Sequence, residues 1–140
     1  MRHFYIDTNV IIDFISLRKP FGDAALALFG LSDKGKIKLY TSSHGIPTAH
    51  YILRKIYSEE QVRKALNSVL DYLEVISVTE GILRKALRSA HKDYEDAIHI
   101  LCAHAVKNIS GIVTRDLKDF ATSEIPVYSP DEILQLVKKK

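Results

Sequence analysis

Short β-prone runs alternate along this chain with stretches of helical period, and that alternation leaves few ways to fold it. The β-prone runs are Arg2–Ile6, Ile37–Tyr40, Glu74–Val78, Ile112–Thr114 and Pro126–Tyr128. Between them, apolar residues recur at helical spacing in Val10–Leu17, in the set Ala24, Ala25, Leu28 and Leu31, and in Ser43–Lys55 and Glu59–Leu73. The same spacing returns in the set Ile82, Leu83, Ala86, Leu87 and Ala90, and in Tyr94–Val106. Helical crossovers are what join parallel strands, so four or five strands of this kind predict an α/β fold: a three-layer α/β/α sandwich around a mostly parallel sheet. With 140 residues, the chain has room for one such domain, spanning 1–140.

Local signals set two helix starts. Ser58 and Gln61 form a capping box ahead of the Glu59–Leu73 helix. Ser129 and Glu132 form another for a closing helix, with Pro130 at the first helical position.

Composition removes whole classes of function. Uncharged runs such as Ile46–Leu53 are too short to cross a bilayer, and the first residues lack the regions of a secretory signal. A cytoplasmic protein without membrane association is expected. One cysteine, Cys102, excludes an internal disulfide and a thiolate zinc cage, and its apolar helical setting makes it a core residue. The 20 basic against 17 acidic residues leave +3, a weak preference for an anionic partner, and Lys138–Lys140 reads as a solvated tail.

In parallel sheets, ligands collect beyond the carboxyl ends of the strands. Asp7 follows the first strand directly, and Asp116 follows Gly111–Thr114 with only Arg115 between. If those strands are neighbours, two carboxylates meet there without a local counter-charge, which is costly unless a cation or a proton fills the gap. Asp96, in the first turn of Tyr94–Val106, lies off the apolar stripe of that helix and is free to point to the same edge. Taken singly, each acid has a plainer role. Asp7 suits a cap or turn before Thr8 and Asn9, Asp93 an N-cap, Asp96 the helix dipole, and Asp116 and Asp119 a turn above Phe120. Taken together, Asp7, Asp96, Asp116 and Asp119 are an oxygen set suited to Mg²⁺ or Mn²⁺ and not to Zn²⁺. An ion so held binds phosphate oxygens and activates water, which is nuclease chemistry.

Three segments then resemble the PIN domain, the fold of the VapC-type toxin ribonucleases. FYIDTNVIID at Phe4–Asp13 looks like the family's opening strand and turn, KDYEDAI at Lys92–Ile98 like its second acidic segment, and IVTRDLKDF at Ile112–Phe120 like its last. The resemblance implies a Mg²⁺- or Mn²⁺-dependent endoribonuclease, a toxin-like member paired with a small antitoxin, acting on RNA and forming homodimers. It casts Asp7, Asp96 and Asp116 as catalytic metal ligands, with Asp119 as a further acid. Thr8 and Asn9 support the first aspartate, Thr114 supplies a hydroxyl near the site, and Asp93 caps the helix that carries Asp96. One position departs from the pattern: Thr48 stands where the family carries a metal-site Glu. A threonine cannot supply that charge, which keeps open a second reading, a catalytically weakened PIN domain that binds RNA or protein.

His44 and His50 lie off the Glu position, and His99 is a candidate for reaching a phosphate or donating a proton. Arg54, Lys55, Arg63, Lys64, Arg84, Lys85 and Arg88 are candidates for a phosphate-tracking rim or a solvated helix surface. A phospho-acceptor domain also clusters aspartates at strand ends, but the chain lacks the paired acid and the late lysine it needs.

Overall fold

The structure is a computed structural model and describes residues 1–138. Five strands, β1 (Arg2–Ile6), β2 (Ile37–Ser42), β3 (Leu73–Ile76), β4 (Ile109–Val113) and β5 (Val127–Tyr128), form one sheet in the order β3-β2-β1-β4-β5. Every pairing is parallel. The connections carry α1 (Thr8–Ser16), α2 (Gly22–Asp33), α3 (Gly45–Leu53), α4 (Glu59–Val69), α5 (Glu80–Arg88) and α6 (Tyr94–His104), and α7 (Pro130–Lys138) closes the chain. The expected sandwich is what forms.

A parallel sheet covered on both faces needs strands that are apolar on both, and β1 meets that need. Phe4 and Ile6 face a core shared with Val10, Ile11, Leu28, Phe29 and Leu53. Tyr5 faces the other core, with Ile98, Ile100, Cys102 and Ile112. Cys102 is a buried free thiol, as its apolar setting predicts. Phe14 stacks on Phe29 at 3.9 Å between ring centroids, and Tyr72 meets both rings edge-on.

Both capping boxes are present. The Gln61 N–H donates to Ser58 Oγ (3.2 Å) and the Ser58 N–H to Gln61 Oε1 (3.0 Å). Ser129 and Glu132 make the reciprocal pair at 2.9 and 3.2 Å. Boundaries differ elsewhere. The α4 helix stops at Val69 instead of running to Leu73, because Leu73 leaves the helical period to begin β3, where it pairs with Leu39 of β2. The β4 strand starts at Ile109, earlier than the apolar run indicates, since Ile109 still pairs with His3. His44 precedes α3 and is not part of it. In the predicted tail, Lys138 ends α7, and Lys139 and Lys140 lie outside the described residues.

The turn from α1 to α2 is tight. Leu17 takes a left-handed conformation (φ 52°), and a Cβ on Gly22 would lie 2.4 Å from the Leu17 carbonyl carbon, so the backbone approach there requires glycine.

Candidate active site

The central strand ends at Ile6, and Asp7 takes over as the N-cap of α1. Its own N–H donates to the Val113 carbonyl (2.9 Å), which extends the β1–β4 pairing and fixes where the side chain emerges. The carboxylate accepts from the Thr8 N–H (2.7 Å) and from the Thr114 hydroxyl (2.9 Å). Thr114 is fully buried and acts as the hub. While donating to Asp7, its oxygen accepts from the Asp116 N–H (3.1 Å) and, at a longer 3.3 Å, from Asn9 Nδ2. Asn9 Nδ2 also donates to Asp116 Oδ2 (3.0 Å). Asp7, Thr8, Asn9, Thr114 and Asp116 are thus one hydrogen-bonded unit assembled from two distant segments.

Asp96 enters from α6. The helix N-cap is Asp93, whose carboxylate accepts the Asp96 N–H at 3.0 Å, so Asp93 takes the structural role and Asp96 is left free. Electrostatics tie the acids together. Burial lifts the Asp7 carboxyl to about 6; the Thr114 and Thr8 hydrogen bonds oppose that rise, and the charges of Asp116 and Asp119 add to it. Burial, then the charges of Asp93, Asp119, Asp7 and Glu95, lift Asp96 to about 7. Among the described residues, no lysine or arginine pairs with Asp7, Asp96, Asp116 or Asp119.

The donor set is open. Among the described residues, no three His, Cys, Asp or Glu side chains are grouped closely enough to hold a metal ion between them. Mg²⁺ fits such an edge better than a cage, because it keeps several waters and takes one or two carboxylates together with substrate phosphate. Asp7 shares a hydrogen-bonded unit with Asp116, and the charges of Asp7 and Asp119 both act on Asp96.

The remaining candidates fall elsewhere. Thr48 turns its hydroxyl back to the carbonyl of His44, the residue that precedes its helix (2.9 Å), and adds no charge to the edge. His44 stands between, 3.6 Å from Glu95 and 5.9 Å from the His99 ring. His99 is buried, with Nδ1 2.6 Å from the Tyr5 hydroxyl and Nε2 3.9 Å from Asp7. Burial and then His44 hold it down at about 4, so it is uncharged at neutral pH and packs beneath the acids instead of reaching a phosphate. His50 pairs with Glu59 at 2.6 Å. Much of the expected basic rim is also spent locally: Arg54 and Arg63 face Glu59, and Arg84 faces Glu80.

The sequence reading missed Asp13. It is 2% exposed and accepts from Arg18 Nε (2.7 Å) and Arg115 Nε (2.8 Å). The available signal was an acid on the apolar side of α1 followed five residues later by arginine; Arg115, distant in sequence, gave none.

The fold and its edge define a parallel α/β/α domain with unpaired carboxylates where its central strands end. The chain belongs to the PIN domain family, whose sequence pattern matches residues 3–118. It is similar to Ribonuclease VapC1 from Aquifex aeolicus, 25% identical over 136 residues, which cover 94% of this chain and 92% of that one. In structure it is similar to VapC20 of Mycobacterium tuberculosis, described as a Sarcin-Ricin loop cleaving toxin (TM-score 0.66, 16% identity, 85% of this chain and 94% of that one). It is also similar to a chain of VapBC2 from Rickettsia felis bound to a promoter DNA fragment (TM-score 0.60, 21% identity, 91% and 98%). Among the described residues, no helix is long and apolar enough to cross a membrane.

Proposed function

We propose that this chain is a metal-dependent endoribonuclease, the toxin half of a toxin–antitoxin pair, that works in the cytoplasm as a homodimer. The reading is supported by the hydrogen-bonded unit that holds Asp7 and Asp116 at the sheet edge and by the charge of Asp7 acting on Asp96, with no lysine or arginine paired to these acids among the described residues. The Aquifex relative's name and the Mycobacterium toxin's described cleavage support RNA as the substrate, and the VapBC2 assembly supports a small antitoxin as the partner.

Asp7, Asp96 and Asp116 hold Mg²⁺ or Mn²⁺ in this reading, with Asp119 alongside. When bound, the ion supplies a Lewis acid for the phosphodiester and a lowered pKa for the attacking water. The chain's own residues do the positioning. Thr114 and the Thr8 N–H keep the Asp7 carboxylate in one orientation, and the Asn9 amide does the same for Asp116. Capping by Asp93 fixes the first turn of α6 and with it the direction of Asp96.

Calorimetric titration with Mn²⁺ tests the site directly. Ionised carboxylates bind the ion, and two of them protonate at about 6 and about 7. Affinity is therefore expected to rise steeply from pH 6 to pH 8, with protons released on binding. No heat of binding at pH 8 would remove the catalytic reading.

Thr48 favours the weakened, binding-only alternative, because α3 brings no carboxylate to the edge. Thr48→Glu is expected to tighten Mn²⁺ binding severalfold and to raise cleavage. An unchanged titration would show that this position does not face the ion.

A further inference from the structure

Arg18 and Arg115 share a single buried carboxylate, Asp13, each through its Nε–H. One carboxylate neutralises one guanidinium, so the group keeps a positive charge. Neither arginine turns to the unpaired acids, although Arg115 is joined directly to Asp116, about 3.8 Å away between Cα atoms. Both contacts to Asp13 run through Nε, and each guanidinium carries further N–H donors. Arg18 is 44% exposed and Arg115 23% exposed at the side chain, so these donors are within reach of a solute.

Phe21 completes the group. Its ring lies 4.3 Å from the Arg115 guanidinium carbon and is 39% exposed, held there by the tight turn at Gly22. A tie between α1 and the end of β4 needs one arginine and no exposed aromatic ring. Two guanidiniums oriented by a buried acid, backed by an aromatic face, are the parts that bind a phosphodiester and stack a base. Orientation by Asp13 also lowers the ordering cost of binding.

We infer that Arg18, Arg115 and Phe21 form the seat for the nucleotide beside the scissile bond, with the two guanidiniums on its phosphate and its base on the Phe21 ring. This rests on the RNA-cleaving reading above and adds to it a substrate subsite. The seat also offsets the repulsion that the acids exert on an incoming phosphate.

The test uses the Asp96→Asn chain, so that RNA is bound and not cut. Anisotropy of a labelled, mixed-sequence single-stranded RNA of about 12 nucleotides reports affinity across a salt series. Phe21→Ala in that background is expected to weaken binding about tenfold, and Phe21→Trp to retain it. Arg18→Gln is expected to weaken binding about tenfold and to make the salt dependence shallower by about one unit of slope. Melting temperatures recorded alongside separate lost contacts from lost folding. Affinities unchanged by Phe21→Ala and Arg18→Gln overturn the seat, as does a loss that Phe21→Trp fails to restore, or RNA that does not bind at all. Mn²⁺ titration of the otherwise wild-type Phe21→Ala chain keeps the two readings apart. Intact Mn²⁺ binding with RNA indifferent to the seat sinks the seat alone; RNA binding that depends on the seat, with no Mn²⁺ uptake, sinks the hydrolase alone.

Discussion

Asp96→Asn is expected to abolish RNA cleavage and, in EDTA, to raise the melting temperature. The loss follows from the ion's need for charged oxygen. Removing one carboxylate takes away several kcal/mol of transition-state stabilisation, about 10³-fold in rate. The gain in stability has the opposite origin. Asp96 protonates at about 7 in the fold, while an unfolded aspartate does so at about 3.9. Between those values the folded chain holds more protons than the unfolded one. The stabilising share of this residue is therefore complete below about pH 4 and lost as pH rises through about 7. Asparagine has no such charge to lose. Because Asp96 is only partly buried, solvent screening trims the benefit, and an increase of about 2–4 °C is expected at pH 8. Gel assays with Mn²⁺ and calorimetric melts in EDTA check the two halves. An Asp96→Asn protein that cuts as fast as wild type at saturating Mn²⁺ would end the catalytic assignment.

Thr114→Val is expected to be the most damaging change that alters no charge. Valine matches the shape but removes the hydroxyl, so Asp7 loses a donor, and Asn9 and the Asp116 N–H lose an acceptor. Leaving such groups unsatisfied in a buried setting costs about 1–3 kcal/mol, measured here by urea unfolding. Function should fall further than stability. The Thr114 bond is among those that hold the Asp7 carboxyl down, so without it that group protonates above about 6 and Mn²⁺ binding weakens at neutral pH. Thr114→Ser keeps the hydroxyl and should recover most of the Mn²⁺ affinity. If Thr114→Val instead bound Mn²⁺ like wild type, the hub would be a packing feature only.

Legibility in the sequence tracked the range of the interaction. Both capping boxes could be read because each partner lies three residues from the other. The end of α4 could not, since Leu70 and Leu73 continue the apolar period while Leu73 already belongs to β3. The meeting of Asp7 with Asp116 followed from strand order alone once β1 and β4 were taken as neighbours. Thr114 entered through family resemblance, because nothing local marks a buried hydroxyl as a hub. The Asp13 clamp stayed hidden because its second arginine is 102 residues away. Likewise, no periodicity shows that His99 on α6 lies beneath the acids and is held there by Tyr5 of β1.

The central strand precedes both of its neighbours along the chain, and one of them, β4, comes only after β2 and β3. Thr114 lies 107 positions beyond the aspartate it orients. A ribosome that has delivered only the first two or three strands has therefore released no working edge. In the reading proposed above, cleavage would therefore wait until β4 has been made and paired with β1.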